Sequence, residues 1–327
     1  MIITQTPFRI SFFGGGTDMK SFYKYQKGKV LSTTIDRYIY VVVKKQLGIV
    51  EYKYRINWSE VEFRNSINEI KHPIVREALK YFKIDFPLEI STFSDIPANT
   101  GLASSSAFAV GLVHALLKIK KRKISKKIIA SIAANIEINI LKRNIGKQDH
   151  YACSYGGFNE ITFNKNDTVK VEKLNISSEK LKTLNLNLQL YFTLQKRDAS
   201  EVLKNQSKLN DGQKIILSKL VELVQEAKKI LNSKKKNFYL IGKLMHESWI
   251  LKKKLNKNAS NKVLDKYYSH SQKYGSLGGK ILGAGNGGFL LIYIKKKDQS
   301  LLKKKLTNLL KLNFKFEDKG TKILYEK

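Results

Sequence analysis

Pro97-Ala98-Asn99-Thr100-Gly101-Leu102-Ala103-Ser104-Ser105-Ser106-Ala107 is the stretch from which this chain is best read. A glycine and a run of serines lead straight into an apolar segment, Phe108 to Leu117, with the character of a buried helix. Such a junction presents free backbone N–H groups at the positive end of a helix, which is what a polyphosphate needs. A plain helix N-cap accounts for one serine but not for three after Gly101-Leu102. The stretch is not a Walker A loop, because no lysine follows Gly101. Charge on a bound polyphosphate must therefore be neutralised by helix N–H groups, a metal ion and residues from elsewhere. The serine hydroxyls suit Mg²⁺ or phosphate oxygen. The expectation is that Gly101, Ala103, Ser104, Ser105 and Ser106 seat the phosphates of ATP.

The chain around this loop has 327 residues, enough for about two domains, and its 42% hydrophobic content can fill a real core. A single cysteine, Cys153, rules out an intramolecular disulfide and suits a reducing, cytoplasmic setting. No basic region followed by an apolar run opens the sequence, so no signal peptide is expected. The longest uncharged run, Ile96 to Leu117, is broken by Asn99, Thr100, three serines and His114, and reads as loop plus buried helix, not as a membrane span. His114 itself reads as a satisfied core histidine.

The net charge of +34 comes from lysine clusters at 118–127, 234–236, 252–254, 295–297 and 303–305. They are scattered over expected helix ends and turns, without an RGG-like run or interleaved aromatics. The charge therefore reads as a solvated lysine surface that attracts anionic substrates, and nucleic acid is not the expected partner.

Alternation and periodicity give the elements. Ile2–Phe12 reads as a strand running into Phe13-Gly14-Gly15-Gly16-Thr17-Asp18. Val30–Lys45 is a long strand or hairpin, Tyr52–Trp58 a half-exposed strand, Pro73–Phe82 a helix and Leu88–Phe93 a strand entering the serine loop. Ser125–Lys142 reads as one helix with an apolar arc through Ile128, Ile132, Ile136, Ile138, Ile140 and Leu141. Glu137 is the one charge in that arc, which implies an ion pair or a metal. Strands are expected at 158–163, 169–174 and 188–194, with a polar boundary at 180–187. Helices are expected at 215–231, 239–255, 263–274 and 301–312. Trp58 is open to adenine stacking or, preferably, core packing, and His72 is left open.

Gly283-Ala284-Gly285-Asn286-Gly287-Gly288 matches G-x-G-x-x-G, but a strand follows it where a dinucleotide site needs a helix. It reads instead as a glycine loop passing close to another surface. There is no zinc-spaced His/Cys cluster and no G-x-S-x-G elbow.

Three stretches in this order, Pro7 to Asp18, Pro97 to Ala107 and Gly283 to Phe289, resemble those of the GHMP kinases and span nearly the whole chain. The Gly-Gly-Gly-Thr-Asp form of the first, Ile70-Lys71-His72-Pro73 and Gly146-Lys147-Gln148-Asp149 point to the sugar 1-kinase branch acting on heptose 7-phosphates. The resemblance implies an α+β fold of two domains. Residues 1–184 would form an N-terminal ATP-binding domain like ribosomal protein S5 domain 2, and 185–327 a ferredoxin-like C-terminal domain, with the site between them. It implies Ser105 and Glu137 as Mg²⁺ ligands, Asp149 as catalytic base, and Arg9 as the cation on the transferring phosphoryl group.

The same resemblance implies Asp18, with Gly15, Gly16, Thr17 and Gly285, at the acceptor, and the candidates for a contact to a substrate phosphate are Lys147, Lys196 and Arg197. From the residues alone Asp149 also suits a helix N-cap and Arg197 a surface charge. Ala103 and Leu194 stand where the family's motifs carry glycine. The implied reaction is ATP-dependent phosphorylation of a sugar phosphate's anomeric hydroxyl. The alternatives are a kinase for an unphosphorylated sugar of fucose or galactose type, or a non-catalytic nucleic-acid-binding protein of the same fold.

Overall fold

The computed structural model describes residues 1–195, 202, 208–234 and 237–327. The chain opens with β1 (Ile2–Phe13), a single-turn helix α1 (Lys20–Tyr23) and β2 (Gly28–Lys45). β1 and β2 make one long antiparallel ladder, with Ile2 opposite Val43 and Phe13 opposite Leu31. β3 (Tyr54–Asn57), β4 (Val61–Arg64), α2 (Pro73–Tyr81) and β5 (Leu88–Ser94) follow. β5 pairs antiparallel with β2, and β3 lies parallel beside β5. Next come α3 (Ser104–Ile119), α4 (Lys126–Ala134), α5 (Gln148–Tyr155) and a hairpin of β6 (Asn159–Phe163) and β7 (Val169–Lys173). β6 pairs with the first half of β2.

The second sheet is wholly antiparallel, in the order β11-β8-β10-β9. α6 (Ser178–Leu186) leads into β8 (Leu188–Phe192), and α7 (Asp211–Asn232), α8 (Tyr239–Leu255) and α9 (Lys262–Lys273) precede β9 (Ser276–Ile281) and β10 (Phe289–Ile294). α10 (Gln299–Lys305) and β11 (Leu310–Leu312) close it. The chain then returns to the first sheet: β12 (Phe316–Glu317) pairs with β2 and β13 (Lys322–Glu326) with β1. A division after residue 184 therefore leaves two strands of the first sheet in the second segment. No helix among the described residues is long and apolar enough to cross a membrane.

α3 is the pivot of the first layer. Twelve consecutive residues, Ser106 to Leu117, are buried, as expected of a helix apolar on all sides. Gly111 lets it sit tightly on the sheet, since a Cβ there would lie 3.0 Å from Thr6 Oγ1 and 3.1 Å from Thr4 Oγ1. Thr4 Oγ1 donates to Gly111 O at 3.0 Å. His114 Nδ1 lies 3.2 Å from Thr321 Oγ1, itself 2.9 Å from Thr6 Oγ1. The histidine is thus a satisfied core residue that ties the returning C-terminal segment to α3.

Three expectations need correction. Ser125–Lys142 is not one α-helix, because α4 widens into a π-helical turn over Asn135–Ile140. The wider turn breaks the 100° register, so Ile136 and Glu137 are buried while Ile140 is exposed. The polar boundary at 180–187 is α6, started by Ser177, whose side chain accepts from Lys180 N. The last helix stops at Lys305, and Leu310–Leu312 pairs as a strand with β8, because sheet pairing overrides an apolar pattern shared by both states.

Burial, with the like charges of Lys126 and Lys118, holds the His114 imidazole down to about 4. An unfolded chain takes up this proton near the ordinary histidine value, so the folded state loses stability as pH falls from about 6.5 towards 4. Urea denaturation from pH 7 to 4.5 should show a shallower decline for His114→Gln than for the wild type. Parallel declines would exclude His114 as a source of acid sensitivity.

Candidate active site

A cavity of about 1030 Å³ opens between the start of α3, the end of β1, the start of α5 and the helices and strands of the second sheet. Arg9, Ser105 and Asp149 line it from one side and Ser248, Lys252 and Lys280 from the other.

α3 begins without a side-chain cap, so its first N–H groups are left for a ligand. The backbone bends into this start through Gly101 at φ 86° and Ala103 at φ 73°. Ser104, Ser105 and Ser106 line the cavity, and Ser104 Oγ accepts from Asn99 N at 3.3 Å. The C-terminal glycine loop supports this turn. Phe289 N donates to Thr100 O at 3.1 Å, and a Cβ on Gly288 would lie 2.1 Å from that same oxygen. Gly283 and Ala284 reach the cavity wall, whereas Gly285 is pressed on the backbone of Ala259.

Ser105 and Glu137 meet beside the start of α3. Ser105 Oγ donates to Glu137 Oε1 at 2.5 Å. Arg143 Nη1 donates to both, at 2.7 Å each, and His150 Nε2 lies 2.8 Å from Glu137 Oε2. Glu137 is 0% exposed. Burial would raise its pKa, but His150, Arg143 and Ser105 outweigh that and hold it down to about 2. The glutamate is therefore ionised and ion-paired, and it presents with Ser105 two hard oxygens of the kind Mg²⁺ accepts.

Arg9, 3% exposed, reaches out of β1 with its whole fork engaged. Nε and Nη2 donate to Asp149 Oδ1 and Oδ2 at 2.7 and 2.8 Å, and Nη1 donates to Gly101 O at 2.7 Å. Asp149 lies in the first turn of α5, next to the buried Asp18. Asp18 Oδ2 accepts from Gln148 N at 3.0 Å, and Oδ1 accepts from Gly16 N at 3.0 Å and Gln148 Nε2 at 3.2 Å. Burial raises the Asp18 pKa against the pull of the Gln148 N–H, and the charge of Asp149 adds to the rise. Gly15 and Gly16 line the cavity beside it.

Two other candidates, Thr17 and Lys147, are not brought to the cavity. Thr17 is buried, and its hydroxyl is spent on Gly14 O at 2.7 Å and Lys29 O at 2.9 Å. Lys147 turns away to Asp167 Oδ1 at 3.3 Å and lies over the Tyr23 ring. Arg197, with Lys196, lies outside the described residues. Trp58 is not a core residue: it is 36% exposed, lines the cavity, and meets His72 edge-on with centroids 4.8 Å apart. His72 packs in turn on Phe108, and burial, then Arg143, lowers its pKa to about 4.

Sequence reading missed Arg143, Gln148, His150, Lys252 and Lys280. Arg143 hides at a helix end among other cations. Lys280 carried a signal, being the one charged residue between Lys273 and Lys295. Its ammonium is buried against Phe12 O at 2.9 Å, and burial, then Arg9, pushes its pKa down to about 7. Lys252 Nζ donates to Ile281 O at 3.2 Å and Gly283 O at 2.5 Å, holding the glycine loop.

Residues 70–157 match the GHMP kinases N terminal domain. The D-glycero-alpha-D-manno-heptose 7-phosphate kinase of Campylobacter jejuni is 31% identical over 304 residues, 90% of this chain and 89% of that protein. The chain belongs to the GHMP kinase family. GHMP kinases are ATP-dependent phosphotransferases. A galactokinase of Thermotoga petrophila is 22% identical over 338 residues, 95% of this chain and 94% of that protein. The crystal structure of a D-glycero-D-manno-heptose 1-phosphate kinase from Bacteroides thetaiotaomicron shares the fold, with a TM-score of 0.81 and 21% identity over the whole of both chains.

Both positions where this kinase departs from the family's glycines are left-handed: Ala103 at φ 73° and Leu194 at φ 61°. A side chain costs about 1–2 kcal/mol there, and glycine returns part of that as unfolded-state entropy. Ala103→Gly and Leu194→Gly should each raise unfolding free energy by roughly 0.5–1 kcal/mol in urea titrations. A loss of stability in either would mean that the side chain's packing outweighs the backbone strain.

Proposed function

We propose that this kinase transfers the γ-phosphoryl group of ATP to the anomeric hydroxyl of D-glycero-D-manno-heptose 7-phosphate, giving the 1,7-bisphosphate. The observation that carries this reading is the Arg9 fork, bound at once to Asp149 and to the Gly101 carbonyl of the phosphate loop. It joins a proton acceptor to the place where phosphates would lie. Such chemistry is mostly positioning and charge neutralisation. The start of α3 would seat the phosphates, and Trp58, His72 and Phe108 offer an aromatic wall for the base. Ser105 and Glu137 would hold Mg²⁺, which when bound neutralises phosphate charge.

In this mechanism Asp149 accepts the proton of the anomeric hydroxyl. Arg9 holds the carboxylate in place through both of its oxygens, and steadies charge on the group in flight. Asp18 has its oxygens on N–H donors, so it fixes the Gly15-Gly16 turn and the start of α5 and offers the sugar its remaining lone pairs. The heptose assignment draws on the similarity to the Campylobacter enzyme. A reading with an unphosphorylated sugar draws on Lys147, which is turned to Asp167 and away from the cavity. A cytoplasmic site of action suits a chain whose one cysteine is free and buried.

ADP release across a panel of sugars and sugar 7-phosphates should be greatest with the heptose 7-phosphate; turnover confined to unphosphorylated sugars would replace that assignment. Asp149→Asn should lower kcat by about 10²–10⁴-fold while leaving ATP binding intact. Near-normal turnover in that variant would remove Asp149 as the base.

A further inference from the structure

Lys280 sits in β9 at the face of the second sheet that closes the cavity, 4% exposed. Its ammonium has three donors, and among the described residues its polar partner is Phe12 O at 2.9 Å. The charge acting on it is Arg9, of the same sign, and no carboxylate among the described residues pairs with it. Arg9 has a counter-ion in Asp149. Lys280 is left as a buried cation with donors to spare, on the wall of the cavity that Arg9 and Asp149 also line. A buried charge without a partner is costly, and such costs persist where a ligand supplies the missing partner.

We propose that Lys280 is a substrate-contacting residue whose ammonium takes a phosphoryl oxygen brought into the cavity. The oxygen belongs either to the γ-phosphoryl group of the nucleotide or to a phosphate carried by the acceptor. The assignment rests on the phosphoryl-transfer reading above but not on which sugar is the acceptor. An anion beside Lys280 also favours its protonated form, so binding and charge reinforce each other. The second sheet thereby contributes a phosphoryl contact to a cavity that both layers line.

The test compares Lys280→Met with the wild type by titration calorimetry and steady-state kinetics. In the first arm the probes are Mg·AMP-PNP and Mg·ADP. A loss of tenfold or more for AMP-PNP with ADP unchanged places Lys280 on the γ-phosphoryl group. In the second arm the probes are the heptose 7-phosphate and the same sugar without phosphate. A tenfold or greater rise in KM for the phosphorylated sugar alone, with AMP-PNP affinity unchanged, places it on the acceptor's phosphate.

Thermal melting separates contact from scaffold. Removing an unpaired buried cation should leave Tm equal to or above the wild-type value. Unchanged binding in both arms overturns the proposal. So does a variant that melts lower and loses ADP, AMP-PNP and sugar alike, the pattern of a structural strut. An enzyme indifferent to heptose phosphates that still shows the AMP-PNP difference upholds Lys280 and overturns the substrate assignment instead.

Discussion

Arg9 is the constraint on which the site depends. Its guanidinium has a carboxylate on one edge and a backbone carbonyl on another, so β1, α5 and the turn before α3 cannot shift independently. Charge-assisted, bidentate contacts of this kind are short and directional. The arrangement demands arginine, because a lysine could satisfy one of these acceptors but not hold the plane of all three. Burial makes the pair costly to break, since either partner alone would be an uncompensated charge. In the mechanism proposed above, the group that positions Asp149 would also face the transferred phosphoryl group.

Around this fork the chain accepts several local penalties. Ala103 takes a left-handed backbone to turn the chain into α3, Glu137 is carried on a π-helical turn, and Lys280 is a cation without a counter-ion among the described residues. Each breaks a rule the rest of the fold obeys, and all three line one cavity. Strain of this sort persists only where the surrounding structure over-determines it. Here α3, buried through twelve consecutive residues and held by Thr4 at Gly111, supplies that rigidity. The glycine loop supplies the rest, because Gly288 leaves no space between Phe289 and Thr100.

Most strands and helices were legible in the sequence because alternation and 3.6-residue spacing report directly on burial. The failures have one cause each. Ile140 fits a helical arc with Ile136, but the π turn changed the angle per residue after Ala134 and left it exposed. Leu310–Leu312 fits a helix as well as a strand, and only the free edge of β8 decides between them. In the site, Ser105, Glu137, Arg9 and Asp149 were picked out by the family resemblance, and the structure places all four around one cavity. Lys147 was not, because its direction is set by Asp167 and the Tyr23 ring, which proximity in sequence does not reveal. Trp58 was misjudged because its packing partner, His72, lies at the rim of the cavity and not under it.

The place offered to a metal ion also follows from electrostatics. Among the described residues no cluster of three or more acidic, histidine or cysteine side chains stands ready for a metal. A triad of carboxylates beside the uncapped start of α3 would repel the phosphates that the helix end attracts. One glutamate avoids that conflict, and Arg143 balances its charge while bridging it to Ser105. Ser105 and Glu137 would hold a divalent cation there, which would supply neutralisation of phosphate charge. Metal and nucleotide would then favour each other's entry, because each removes a charge that opposes the other.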